Sequence, residues 1–274
     1  MVEATKARVA PVSSAMLYGR GVFTTLAIDH DKPIFWSKHW QRLVTHAQKL
    51  GLQFEDFDEQ SVGQALQKLI AVNKVESGRA RVILLSRTGR DLWGTRTPQS
   101  RKTDLLILTG EPQKVPDTGI SLAVSPFRLN TLSPLTGIKS LNYLDRVISW
   151  EETQSRDFDE AVMLNERGEI ASATMANIFW TRNGTLHTPA LSSGAVAGIT
   201  RAMTIELAEK NFIPVLEGAY EMQDLTEADE IFLTSSSLGL ARVTTFDFRR
   251  YAIEACKIAG LISNALLRLS GETR

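Results

Sequence analysis

The segment Gly137-Ile138-Lys139-Ser140-Leu141-Asn142-Tyr143 sets a lysine among apolar neighbours, after a glycine and ahead of an asparagine able to open a helix. Val147 and Ile148 follow Leu144 by three and four residues, the spacing of one buried helical stripe. The pattern predicts Lys139 at a loop-to-helix junction, turned inward. A buried ammonium is costly unless it is paired or gives up its charge. A lysine that gives it up becomes an amine nucleophile for Schiff-base chemistry. A surface lysine before an ordinary helix is the plainer reading, and this segment taken alone favours it.

A second stretch points to an anion. Gly194-Ala195-Val196-Ala197-Gly198-Ile199-Thr200-Arg201 is a small-residue loop that delivers the chain to a helix at Thr200, with Ile205, Ala208 and Phe212 expected inside. The free N–H groups and positive dipole end of such a helix suit a phosphate. Thr234-Ser235-Ser236-Ser237-Leu238-Gly239, after a strand at Glu230 to Leu233, would add hydroxyl and amide donors. Arg42 lies in a helical stretch between His39 and His46. The two histidines, seven apart, could share a face, but no third ligand accompanies them and no metal is assigned. The loop Arg87 to Arg96 is rich in Arg and Gly. It reads either as solvated chain or as a carboxylate-binding lip, with Arg90 as the candidate.

The elements that must position these residues follow from periodicity and punctuation. Val22 to Ile28 is β-rich, and Asp29-His30-Asp31-Lys32 reads as a hairpin turn into Pro33 to Trp36. Ser37 can cap a helix that runs to Leu50 and stops at Gly51. A helix over 58–73 and strands over 81–86, 104–109, 160–165 and 176–181 come next, with Asn183-Gly184 as a hairpin turn. An amphipathic helix is expected from Tyr251 to Leu269. The Pro-containing, polar stretch Gly110 to Gly119 reads as the interdomain linker.

Ile138 to Asn142 resembles the lysine segment of fold-type IV pyridoxal phosphate enzymes: branched-chain aminotransferases, D-amino-acid aminotransferases and 4-amino-4-deoxychorismate lyase. Tyr18 to Thr25, His39 to Leu43, Ala176 to Phe179 and Gly198 to Arg201 match that family in order, and Phe232 to Ser236 is similar. The resemblance spans about 220 residues. It implies an α/β protein of two domains, 1–114 small and 115–274 large with a β-barrel-like sheet, and a cofactor cleft between them. It also implies a homodimer and pyridoxal 5'-phosphate as cofactor. By resemblance Lys139 is the Schiff-base lysine, and Arg42, Ile199, Thr200 and Ser236 hold the phosphate. Tyr143 approaches a cofactor oxygen, and Phe23 and Arg90 serve the substrate.

Two departures sort the branches. Most relatives carry Glu five residues before the position of Asn177, bonded to the pyridine nitrogen; here that residue is Ser172, and Glu169 lies three residues too early. A carboxylate keeps the ring nitrogen protonated and the electron sink strong, whereas a hydroxyl need not. Many relatives also have Glu after the aromatic of the first strand, where this chain has Phe23-Thr24-Thr25. With Tyr143 four residues after Lys139, the pattern resembles the lyase and D-amino-acid branches. The expectation is an aminodeoxychorismate lyase. The alternatives are an aminotransferase of D-amino acids, branched-chain amino acids or small amines, or a non-catalytic pyridoxal phosphate-binding protein.

Composition bounds the rest. The 274 residues can bury a full core, and 31 Lys plus Arg against 31 Asp plus Glu give no charge bias toward nucleic acid or an anionic membrane. One cysteine, Cys256, rules out an internal disulfide and fits a cytoplasmic location. No apolar run has the length of a signal peptide core or a membrane span.

Overall fold

The computed structural model describes residues 6–8, 10–87, 102–252 and 256–272. The chain forms two compact units: Met1–Pro112 with Ile138–Asn142, and Gln113–Gly137 with Tyr143–Arg274. The sequence reading divides the chain between residues 114 and 115 and leaves Lys139 in the second part. In the structure the division falls at Pro112 and Gln113, and Lys139 rejoins the first unit. The cause is a short antiparallel bridge, Val22 to Ser140, that no local pattern announces.

In the first unit, helix α1 (Ser14–Tyr18) is capped by Ser13 Oγ, which accepts from Met16 N–H at 3.3 Å. Strand β1 (Gly21–Asp29) is rich in β-branched and aromatic residues. It turns through His30 and Asp31, both at positive φ (48° and 58°), into β2 (Lys32–Pro33). Helix α2 (Trp36–Lys49) starts after Phe35, at φ 54°, and not from a Ser37 cap. Ile34 N–H still donates to Ala27 C=O at 2.9 Å, so the chain leaves the hairpin and turns at once into the helix. Helix α3 (Glu59–Val72) has the capping box of Asp58 and Ser61, whose N–H donates to Asp58 Oδ1 at 2.8 Å. Strands β3 (Ser77–Ser86) and β4 (Thr103–Gly110) complete the sheet. Its order among the described residues is β2-β1-β3-β4, all antiparallel. Leu43 and Val62 pack with Val22, Val82 and Leu84, while Leu66 and Ile70 pack with Leu26, Ile28 and Ala80. Each such aliphatic side chain contributes about 1.5–3 kcal/mol relative to exposure.

The second unit runs through β5 (Ile120–Leu129), α4 (Leu144–Gln154), β6 (Glu160–Asn165), β7 (Ile170–Ala173), β8 (Asn177–Arg182) and β9 (Thr185–Pro189). It continues with α5 (Ile199–Lys210), β10 (Val215–Gly218), α6 (Met222–Thr226), β11 (Glu230–Ser235), β12 (Gly239–Phe246), β13 (Arg249–Arg250) and α7 (Lys257–Glu272). Among the described residues the mixed sheet has the order β10-β9-β8-β11-β12-β5-β6-β7, with β13 on β12. The β8–β9 turn is the expected one, with Asn183 at φ 50° and Gly184 at 75°. The core lies under this sheet, around Trp180, Ile178, Ile231, Leu233 and Val243.

Four sequence expectations change here. Helix α4 begins at Leu144, because Asn142 Nδ2 donates to Gly19 C=O at 3.0 Å instead of capping it. Its apolar stripe faces outward: Leu144 is 66% and Ile148 41% exposed, while Ser149 and Thr153 are buried. Their hydroxyls donate to Asp145 C=O (2.7 Å) and Ser149 C=O (2.8 Å), so small polar side chains bury without unmet hydrogen bonds. Phe212 is 95% exposed, just beyond α5, whereas Ala208 is buried as expected, together with Met203 and Leu207. Helix α7 starts at Lys257, not Tyr251, since the buried Glu230 carboxylate accepts from Ile258 and Ala259 N–H, both at 3.1 Å. Among the described residues no helix is long and apolar enough to cross a membrane.

Candidate active site

In the first unit, Lys139 sits on a short edge segment against β1. Phe23 N–H donates to Lys139 C=O and Leu141 N–H to Gly21 C=O, each at 3.0 Å. The Lys139 N–H donates to His46 Nδ1 at 3.0 Å. Both backbone polar groups of the lysine are therefore held, one from β1 and one from α2. Gly21 permits this close approach, since a Cβ there would stand 2.6 Å from Leu141 Cδ1 and 2.7 Å from Leu84 O. The lysine is half-buried rather than enclosed, and its Nζ lies 4.6 Å from the centroid of the buried Phe23 ring. The Arg81 guanidinium lies 4.7 Å from the same ring.

Helix α2 presents His39, Arg42 and His46 at spacings of three and four, hence on one face. Arg42 Nη2 donates to Thr24 Oγ1 at 2.8 Å, and Thr24 Oγ1 lies 2.6 Å from His39 Nδ1. Burial, then the charges of Arg42 and Lys139, hold the His39 imidazole well below the usual histidine range. Burial, then Arg42, Lys49 and Lys139, bring His46 down to about 4. Both rings are neutral at pH 7. An Nδ1 that accepts from the Lys139 amide leaves the ring proton of His46 on Nε2. The sequence analysis weighed these histidines only as metal ligands. The signal it passed over is the regular spacing of His39, Arg42 and His46 as one set.

The second unit holds the expected helix start. Helix α5 begins at Ile199, with Gly198 as its cap position, so no side chain caps its first turn, and that turn carries no acidic residue. Thr200 Oγ1 and Ser236 Oγ lie 3.4 Å apart. Asn177 Nδ2 donates to Val196 C=O at 3.0 Å and braces the preceding loop. A Cβ on Gly198 would collide with Asn177 Oδ1, so the glycine is needed there. Thr234 Oγ1, two residues before Ser236, is buried with no hydrogen-bond partner among the described residues. Uncapped N–H groups, two adjacent hydroxyls and no carboxylate fit a phosphate.

Ser172 is buried on β7 and accepts from Arg146 Nη1 at 3.1 Å. The same nitrogen donates to Ala173 C=O and Thr174 C=O, each at 3.0 Å. The Arg146 guanidinium also lies 5.5 Å from the Tyr143 ring. Arg146 was not singled out from the sequence; its oxygen acceptors are 26 or more residues away in the chain, beyond any helical period. Glu169 accepts from Asn165 Nδ2 and Arg167 Nη2, both at 2.7 Å, and these bonds, Arg167 first, lower its carboxyl below the usual range. Arg90 lies outside the described residues.

Comparison with known proteins agrees with this chemistry. The family model described as amino-transferase class IV matches residues 21–246. The aminodeoxychorismate lyase of Bacillus subtilis is 27% identical over 256 residues, 93% of this chain and 87% of that one. The D-alanine aminotransferase of Listeria monocytogenes is 26% identical over 263 residues, 90% of this chain and 85% of its own. The branched-chain amino acid aminotransferase of Escherichia coli superposes with a TM-score of 0.88 at 26% identity, covering 100% of this chain and 93% of that one. Lyase and aminotransferase relatives thus stand at similar distances. Their shared architecture is the two-domain α/β fold of type IV. The chain belongs to the class IV amino-transferase family and is an enzyme whose cofactor is pyridoxal phosphate.

Proposed function

We propose that the enzyme is an aminodeoxychorismate lyase, which releases pyruvate from 4-amino-4-deoxychorismate and leaves 4-aminobenzoate. The observation that carries this reading is the Ser172–Arg146 pair. A guanidinium only donates, so Ser172 Oγ accepts from it and keeps its hydroxyl proton to offer outward; one lone pair is left, but the positive charge beside it and the lack of a carboxylate disfavour a protonated ring nitrogen there. A ring nitrogen facing Ser172 would receive that hydrogen bond and stay unprotonated, which weakens the electron sink. Elimination tolerates this, because the electron pair departs with the pyruvate fragment, whereas amino transfer depends more on a strong sink. The similarity to the Bacillus subtilis lyase supports the same reading.

Pyridoxal phosphate, when bound, supplies an electron-withdrawing ring that weakens the bonds at the carbon bearing the substrate amine. On this reading Lys139 Nζ would hold the cofactor covalently and, once the substrate amine has displaced it and freed it as an amine, would move the proton at that carbon. Phe23, whose ring centroid lies 4.6 Å from Nζ, shields one side of the amine. Arg42, the Ile199 and Thr200 N–H groups and Ser236 Oγ bind the phosphate. The Tyr143 hydroxyl would approach the oxygen borne by the cofactor ring, and Arg90 would bind a substrate carboxylate.

An aminotransferase of D-amino acids, branched-chain amino acids or small amines is the second reading, favoured by the Listeria and Escherichia relatives. Purified enzyme is incubated with aminodeoxychorismate, and separately with a panel of amino donors and pyruvate. Formation of 4-aminobenzoate is expected; keto acid from the donors with no 4-aminobenzoate would overturn the lyase. A homodimer belongs to the same proposal, and exposed Met16 and Leu17 on α1, with Val12 just before it, support a covered surface. A monomer in sedimentation equilibrium would refute it.

Arg42→Ala is expected to weaken cofactor binding by roughly 1.5–3 kcal/mol, about ten- to a hundredfold, through loss of a charge-assisted contact. Titration of the apoenzyme with pyridoxal phosphate checks this, and an unchanged dissociation constant would remove Arg42 from the phosphate site.

A further inference from the structure

We propose that Thr24 and His39 are positioning residues that aim the Arg42 guanidinium, through a hydrogen-bond chain with one fixed polarity. The inference rests on the reading of Arg42 as a phosphate ligand. The polarity follows from the atoms. Arg42 Nη2 can only donate, so at 2.8 Å Thr24 Oγ1 accepts. The hydroxyl has a single proton, and the acceptor 2.6 Å away is His39 Nδ1. The buried hydroxyl has no other acceptor in reach among the described residues, so its proton is satisfied at His39 Nδ1, which then carries a lone pair with the ring proton on Nε2. An imidazolium would have no lone pair to offer, and burial beside Arg42 and Lys139 disfavours it.

Thr24 is fully enclosed and His39 is 1% exposed, so water does not replace either bond. The threonine comes from β1, and both of its partners come from one face of α2. The chain consequently sets the rotation of the guanidinium against the sheet. A planar donor delivers two parallel bonds to a phosphate only when that plane is set. The residue after Phe23 thus has a defined task as a hydroxyl.

The test is a set of apoenzyme titrations with pyridoxal phosphate and, in parallel, with pyridoxal, which lacks the phosphate. Thr24→Val keeps the shape and removes the hydroxyl. It is expected to weaken pyridoxal phosphate binding about tenfold and to leave pyridoxal binding within about twofold. Thr24→Ser should restore the wild-type constant. In the Thr24→Val/Arg42→Ala double variant, the effect of the valine should vanish. The 31P resonance of the bound cofactor should shift in Thr24→Val and return in Thr24→Ser. If Arg42→Ala weakens pyridoxal phosphate binding while Thr24→Val does not, the positioning role is overturned and the phosphate reading stands. If Arg42→Ala has no effect, both fall together. Equal losses for pyridoxal and pyridoxal phosphate, or additive effects in the double variant, would assign Thr24 to folding alone.

Discussion

Replacing Lys139 with alanine is expected to lower turnover by on the order of 10²–10⁴-fold, the range over which a positioned proton-transfer group contributes. Loss of the covalent anchor should add to that. The structure separates this effect from misfolding. The backbone of residue 139 is held by Phe23 N–H and by His46 Nδ1, and neither bond involves the side chain. Alanine keeps both, so the edge segment should stay on β1 and the fold should survive. Borohydride reduction of the wild-type holoenzyme, followed by peptide mapping, is expected to leave the pyridoxyl group on Lys139. A label on another lysine, or an alanine variant retaining more than about a tenth of wild-type turnover, would refute the assignment. Added methylamine should restore part of the lost rate, because the cavity left by the side chain admits a small amine.

The second large effect is acid sensitivity. Burial, more than any other cause, brings His46 in the folded protein down from the ordinary 6.5 to about 4. The folded-state value is depressed, so between these limits the unfolded chain binds the additional proton. Stability from this group is complete above about pH 6.5 and is lost as pH falls toward 4. The full difference is roughly 3 kcal/mol, at 1.36 kcal/mol per pH unit. His39, also depressed by burial and by Arg42, acts in the same direction. The buried Glu160 carboxyl, raised by burial, works in the opposite sense, and the exposed Glu166, at about 2, contributes only below the window. Urea unfolding at pH 7 and at pH 4.5 should therefore show a loss of stability that shrinks by about 2–3 kcal/mol in His46→Asn. Asparagine keeps an acceptor for the Lys139 amide but cannot titrate. An equal loss in both proteins would show that His46 is not the titrating group.

Much of this protein was legible from local pattern. The β1 strand, helices α2, α3 and α5 and the Asn183-Gly184 turn follow from periodicity and turn residues within a few positions. Such signals are local because backbone hydrogen bonds of helices and turns close over three or four residues.

What the tertiary structure alone decided is the company those residues keep. Lys139 meets His46 across 93 positions, and Ser172 meets Arg146 across 26, so neither pairing leaves a periodic trace in the chain. The outward stripe of α4 and the late start of α7 have the same origin. Ser149 and Thr153 satisfy their hydroxyls within the helix and so can take the buried face, and Glu230 supplies the cap of α7 from a distant strand. Apolar spacing says that one face of a helix can be buried; which face is buried depends on where unmet donors and acceptors find partners, and that is settled only when the strands come together.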